Sequence, residues 1–230
     1  MSQYVEELNR LKERKTHLAK EIKDQWRTPE WLFQAINVLY GPIVLDLFTD
    51  GQNSKCPRYY TAEDNALTQP WAKRLEEIRL DMLSSDGWAQ QGKAFANPPY
   101  SIARVGEQPL TGMSHIMEKA AVERRKGAST VFLTKTATAD GWWPNETATL
   151  IIHIKGRIGF ETPTWFNADE KSSKVTSAGF GASIILFDAD YDGQYPDEYI
   201  TREELMEIGM PLASVTQAER DEWIKLWDEI

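Results

Sequence analysis

Ala94-Phe95-Ala96-Asn97-Pro98-Pro99-Tyr100 is the stretch from which the rest of the chain is read. Ala94–Ala96 reads as a short buried strand. Each proline fixes φ, removes a backbone donor and pushes the residue before it out of helical space. The strand therefore runs into a rigid extended peptide. That peptide presents the Asn97 amide and the Pro98 carbonyl in fixed directions, with the Tyr100 ring beside them.

Further strands read on both sides. Ile43–Phe48 is a buried strand closed by the turn signal Thr49-Asp50-Gly51. Ile78–Leu83, Thr130–Thr134, Leu150–Ile154, Arg157–Phe160 and Ala182–Phe187 complete the set. Helical patterns lie between several of them: Glu30–Leu39, with Thr28 as N-cap and Pro29 at the first helical position, and Met113–Arg125. Strands alternating with helices predict an α/β domain with a mostly parallel sheet. The last strands follow one another without a helix, which predicts an antiparallel edge hairpin.

The chain divides into residues 1–24, 25–190 and 191–230. The first reads as a helix over 2–24. Leu8, Lys15 and Ile22 share one heptad position and Leu11 and Leu18 another. That seam either packs on its own domain or makes a homodimer contact. The last part holds two capping-box spacings, Thr201-x-x-Glu204 and Thr216-x-x-Glu219, with Trp223 and Trp227 anchoring the final helix.

At 230 residues, with 41% apolar and 27% charged residues, the composition is that of a globular domain. No apolar run is long enough for a membrane span, and the charged start is no signal peptide. The single cysteine, Cys56, excludes an internal disulfide. A cytoplasmic location is expected. The net charge is −9, but residues 188–230 hold 13 acids against 3 bases, which leaves 22 acids and 23 bases elsewhere. The body thus permits contact with phosphates. Cys56 precedes a proline and reads as structural. His17, His115 and His153 show no ligand spacing, so no metal site is expected.

The Asn-Pro-Pro-Tyr peptide suits one kind of chemistry. An exocyclic amine on a base is a poor nucleophile, because its lone pair is delocalised into the ring. Two acceptors on its N–H groups, the Asn97 amide oxygen and the Pro98 carbonyl, draw the nitrogen toward tetrahedral geometry and localise that pair. Tyr100 offers a face on which an extruded base stacks. Attack on a methyl sulfonium then needs no covalent enzyme intermediate.

The peptide resembles the motif of the amino-methyltransferases, and the rest of the chain is similar to the phage-type DNA N-6-adenine methyltransferases. The likeness rests on Trp26-x-Thr28-Pro29, Asp46 at the first strand end, Asn53 to Tyr59, Asp64-Asn65-x-Leu67, Asn97 to Tyr100 and Gly156 to Phe160, and covers about residues 25–187. One departure is Asp50, which stands where the general superfamily has a glycine. The resemblance implies a Rossmann-like methyltransferase sheet, S-adenosylmethionine as cofactor and methylation of adenine N6 in double-stranded DNA. It implies a phage enzyme shielding DNA from host restriction, in the host cytoplasm. It places Asn97, Pro98, Pro99 and Tyr100 in catalysis. Thr28, Pro29, Asp46, Phe48 and Asn97 fall on the cofactor, with Thr28 at its methionine end. Asp64 either meets the adenosine end or caps its own loop, and Asp81 and Asp86 are rivals for that contact.

Lys135 and Trp142 lie in a loop expected on the catalytic edge of the sheet, where Trp142 and Trp143 either flank the target base or fill the core. Lys171 and Lys174, in the polar stretch 162–179, are expected near phosphates. Three other readings stand. N4-cytosine methylation uses the same acceptors. A protein-glutamine methyltransferase uses the same motif but a glycine-rich cofactor turn. A non-catalytic acidic DNA mimic would explain the charge and not the motif.

Overall fold

The structure, a computed structural model, describes residues 3–13, 24–87, 90–163, 165–166, 175–177 and 180–213. In chain order the elements are helix α1 (Gln3–Lys12), α2 (Glu30–Tyr40), strand β1 (Ile43–Asp46), a single 3₁₀ turn (Ala66–Thr68), α3 (Trp71–Asp86) and β2 (Lys93–Ala96). The hairpin β3 (Arg104–Val105) and β4 (Gln108–Pro109) follows, then α4 (Met113–Arg124), β5 (Thr130–Lys135), β6 (Leu150–Lys155), β7 (Gly159–Glu161), β8 (Val175–Ser177), β9 (Ala182–Phe187), β10 (Glu198–Thr201) and α5 (Arg202–Ala213).

Six strands form one sheet in the order β1-β2-β5-β9-β6-β10. Only β9 runs against its neighbours; the remaining pairs are parallel. Both faces are covered, as a mostly parallel sheet requires. Alternation along the strands sends Ala94, Ala96, Phe132, Ile185 and Phe187 to one apolar cluster with Trp71, Leu75 and Ile116 from α3 and α4. It sends Phe95, Val131, Leu133, Ile184 and Leu186 to a second cluster with Leu32, Ile36 and Leu205 from α2 and α5. Where α5 crosses α2, a side chain at Gly209 would collide with the Trp31 carbonyl.

The α/β class is as the sequence predicts, and several elements are corrected. Ile78–Leu83 is not a strand but the middle of α3. Ile78, Leu80 and Met82 alternate like a strand, yet the buried residues are Trp71, Leu75 and Ile78, at helical spacing, while Leu80 is exposed. Glu76–Arg79 and Arg74–Glu77 pairs support the helix. The late strands do pair antiparallel, but not as an edge hairpin: β9 enters between β5 and β6, and β10 forms the edge. The strand expected at Arg157–Phe160 is β7, which leaves the main sheet and pairs with β8 inside the stretch expected as loop. It also bridges Arg27 through Glu161.

Two helix starts behave differently. At α5 the capping box forms: the Thr201 hydroxyl accepts from the Glu204 N–H at 3.1 Å, and Glu204 accepts from the Thr201 N–H at 2.7 Å. At α2 the cap position falls to Pro29, with no side-chain cap, so Thr28 does not cap the helix. The second capping box, Trp223 and Trp227 lie outside the described residues. No helix among the described residues is long and apolar enough to cross a membrane.

Candidate active site

Because β1, β2 and β5 are parallel neighbours, the segments after Asp46, Ala96 and Lys135 leave one edge of the sheet. A cleft of about 270 Å³ opens there, lined by α1, residues 24–28, the turn after β1, residues 61–63, and Asn97 and Pro99 of the Asn-Pro-Pro-Tyr peptide.

Asp46 closes β1 at the cleft floor and is 3% exposed. The chain folds back on it: Asp46 N–H donates to the Arg58 carbonyl at 3.0 Å, and Tyr60 N–H to the Asp46 carbonyl at 2.9 Å. The Asp46 carboxylate accepts from the Lys55 N–H at 2.9 Å and the Phe48 N–H at 3.3 Å. Burial pushes this carboxyl up to about 7, held back by the N–H groups of Lys55 and Phe48. The Lys55 ammonium turns away to Glu30, 3.0 Å distant. Asp50 takes the Gln52 and Asn53 N–H groups, which shapes the turn, and pairs with Lys12 of α1 at 3.4 Å.

Asn97 follows β2. Its Nδ2 donates to the Trp26 carbonyl at 3.1 Å. A carbonyl only accepts, so this contact fixes which end of the amide is which and leaves Oδ1 as the acceptor. Pro98 is buried, while Pro99 is half-buried and lines the cleft. The far end of the peptide is held by Asp24, which accepts from the Ser101 N–H at 3.0 Å.

Tyr100 stands at the centre of a polar and aromatic box. Its hydroxyl accepts from the Lys135 N–H at 2.5 Å, and burial raises its pKa. Trp142 meets it edge-on at 6.3 Å. The Lys135 ammonium lies over both rings, 5.4 and 5.9 Å from their centres. Asp140 holds Lys135 at 3.1 Å and the Trp142 indole N–H at 2.9 Å.

The cleft thus brings together Thr28, Asp46, Phe48, Asn97 and Pro99. Pro29 stands behind it at the head of α2. Asp64 does not line it: its carboxylate accepts from the Thr61 N–H and hydroxyl at 2.7 and 2.8 Å, so it caps its own loop. Thr61, Ala62 and Glu63 form that wall instead. Asp81 pairs with Arg58 on the outer side of α3, and Asp86 ends that helix. Trp143 is core, buried and stacked on His153. His153 bonds Ser183 at 3.1 Å and Asp197 at 3.0 Å. Cys56 is buried, its thiol pushed up by desolvation. Lys171 and Lys174 lie outside the described residues. No cluster of metal-ligating side chains occurs among the described residues.

Sequence reasoning missed the contribution of α1. Tyr4, Val5, Leu8, Asn9 and Lys12 line the cleft, and Tyr4 accepts from Gln25 at 3.2 Å. The face carrying Leu8, read as half of a seam, covers the chain's own cleft; residues 14–23, which carry the rest of the seam, lie outside the described residues.

Two buried polar atoms on residues that line the cleft have no hydrogen-bond partner among the described residues: Thr28 Oγ1, and Nε of Arg27, whose guanidinium pairs at its far end with Glu161 at 3.2 Å. Donors left open beside a cleft are what an anionic or zwitterionic ligand end requires.

The family described as DNA N-6-adenine-methyltransferase (Dam) matches residues 15–212. The Escherichia coli (strain K12) protein YfdM, named as a candidate methyltransferase, is 50% identical over 99 residues, which are 43% of this chain and 96% of YfdM.

Proposed function

Because the chain belongs to the DNA N-6-adenine-methyltransferase (Dam) family, we propose that it transfers the methyl group of S-adenosylmethionine to N6 of adenine in double-stranded DNA. The observation that carries this reading is the Asn97 amide, fixed by the Trp26 carbonyl so that Oδ1 is the acceptor.

The residues of the cleft fit the cofactor. Arg27 Nε and Thr28 Oγ1 suit its carboxylate, and Asp46 suits its cationic part. Phe48 covers it, and Pro29 fixes the entry to α2. The wall at Thr61–Glu63 takes the adenosine end, with Asp64 shaping the turn rather than touching the ligand. When bound, the cofactor supplies an electrophilic methyl group on a sulfonium. Asn97 Oδ1 and the Pro98 carbonyl accept from the two N–H groups of the target amine and localise its lone pair. Pro99 keeps the peptide extended. Tyr100 receives the base, and Lys135 and Trp142 brace it near the DNA. Lys171 and Lys174 complete the phosphate contacts in this reading. Likeness to phage-type enzymes supports a protective role against host restriction, in the host cytoplasm.

The test is direct. The protein is incubated with labelled S-adenosylmethionine and unmethylated DNA, and the DNA is digested to nucleosides. Label in N6-methyldeoxyadenosine is the expected result. Label in N4-methyldeoxycytidine would change the base, and unlabelled DNA would overturn the reading.

A further inference from the structure

Residues 24–28 line the cleft and are tied to its surroundings one after another. Asp24 accepts from the Ser101 N–H at 3.0 Å, Gln25 donates to Tyr4 at 3.2 Å, and the Trp26 carbonyl takes Asn97 Nδ2 at 3.1 Å. Arg27 is tied to β7. Its N–H donates to the Glu161 carbonyl at 2.8 Å, and the Glu161 N–H donates to the Arg27 carbonyl at 3.0 Å. The side chains repeat the pairing, with Arg27 Nη2 3.2 Å from Glu161 Oε2. β7 is itself anchored. Gly156, at φ +103°, turns the chain out of β6. Ile158 and Phe160 are buried in the cluster under α2, and Glu161 pairs with Val175 of β8. Glu161 is not among the residues that line the cleft. It reaches the cleft through Arg27, whose Nε is buried without a partner among the described residues.

We propose that Glu161 is a positioning residue for cofactor binding: it holds the far end of the Arg27 guanidinium so that Nε faces the carboxylate of S-adenosylmethionine. This role rests on the cofactor reading of the cleft. The guanidinium is planar, with its N–H groups in a fixed fork, so holding Nη2 restricts where Nε can point. A free arginine loses much rotamer freedom when it binds an anion, and one already held by a carboxylate loses less. The two residues exchange both backbone hydrogen bonds, which sets their side chains out from adjacent positions. Glu161 also partly neutralises the cation that the ligand needs, so orientation has to outweigh charge. That opposition gives the test its sign.

The experiment is a set of calorimetric titrations on wild type, Glu161→Ala and Glu161→Gln. The probes are S-adenosylhomocysteine and methylthioadenosine, which has the adenosine and the thioether but no amino-acid end. Glu161→Ala should weaken S-adenosylhomocysteine about tenfold, the scale of one hydrogen bond to a charged group, and leave methylthioadenosine nearly unchanged. Glu161→Gln keeps an acceptor for Nη2 and should recover most of the loss. Thermal stability should fall little in either variant, because a partly exposed ion pair contributes little to it and the backbone bridge remains. In turnover assays the loss should appear in KM for S-adenosylmethionine rather than in kcat. Tighter binding of S-adenosylhomocysteine in either variant would show Glu161 competing with the ligand for Arg27 and would overturn the role. Equal loss for both probes, or none for either, would overturn it as well. A wild type that binds neither probe would overturn the cofactor reading, and the role of Glu161 with it.

Discussion

Two buried carboxylates divide the molecule. Glu123, in α4, is fully buried and fully engaged: it accepts from the Ala72 N–H at 3.0 Å, which caps α3, and from Lys119 and Lys126 at 2.9 and 3.0 Å. Its neighbour Arg124 is equally saturated, donating to the carbonyls of Thr147, Asp188, Tyr191 and Gly193. Asp46, at the cleft, is also buried but among the described residues has two backbone N–H donors, and Arg27 and Thr28 of the same cleft hold polar atoms with no partner among those residues. Thr130, Thr134 and Trp143 also carry such atoms, but none of them lines the cleft. The first region spends its polar groups on holding the fold; the second leaves them incomplete, as the proposed cofactor site requires.

The widest test of that difference is pH. The Asp46 carboxyl titrates at about 7 in the folded chain against 3.8 normally. The folded state therefore holds the proton more tightly, so this contribution is complete below about pH 4 and lost as pH rises through 7. On the order of 4 kcal/mol of cofactor-free stability is at stake. Denaturant titrations of wild type and Asp46→Asn should diverge over that range; parallel curves would show that Asp46 is no more strained than Glu123.

Asn97→Ala should lower kcat by about 10²–10³-fold, the scale for removing one group that meets the transition state, with cofactor affinity nearly unchanged. Near-normal turnover would remove Asn97 from the mechanism. Glu123→Ala should act in the opposite sense, costing about 3 kcal/mol of stability while cofactor affinity in the folded protein stays the same. Thr28→Val should be the smallest change. Affinity for S-adenosylmethionine falls about tenfold, by the worth of one hydrogen bond to a charged group, and stability does not fall. A stability loss without an affinity loss would make Thr28 structural.

What the sequence reveals follows the same divide. Asn97, Asp46 and Phe48 are legible because prolines and strand ends fix their positions locally. The central strands are legible because burial on both faces makes them apolar runs. α3 is not, since its ion pairs and its packing decide against a strand-like alternation. β10 is not either, because Glu198-Tyr199-Ile200-Thr201 takes strand form only by pairing with β6. In sequence Asp64 reads equally as a ligand contact or as a loop cap, and only the fold decides, because Thr61 takes its carboxylate at short range. The cover supplied by α1 is invisible because helix periodicity shows an apolar face and not what the face meets.

The most direct test of the central claim is a calorimetric titration of S-adenosylmethionine into the protein at pH values on either side of 7. Binding should saturate at one cofactor per chain, tighten as Asp46 ionises and lose that pH dependence in Asp46→Asn. No binding, or binding indifferent to Asp46 and Thr28, would contradict it.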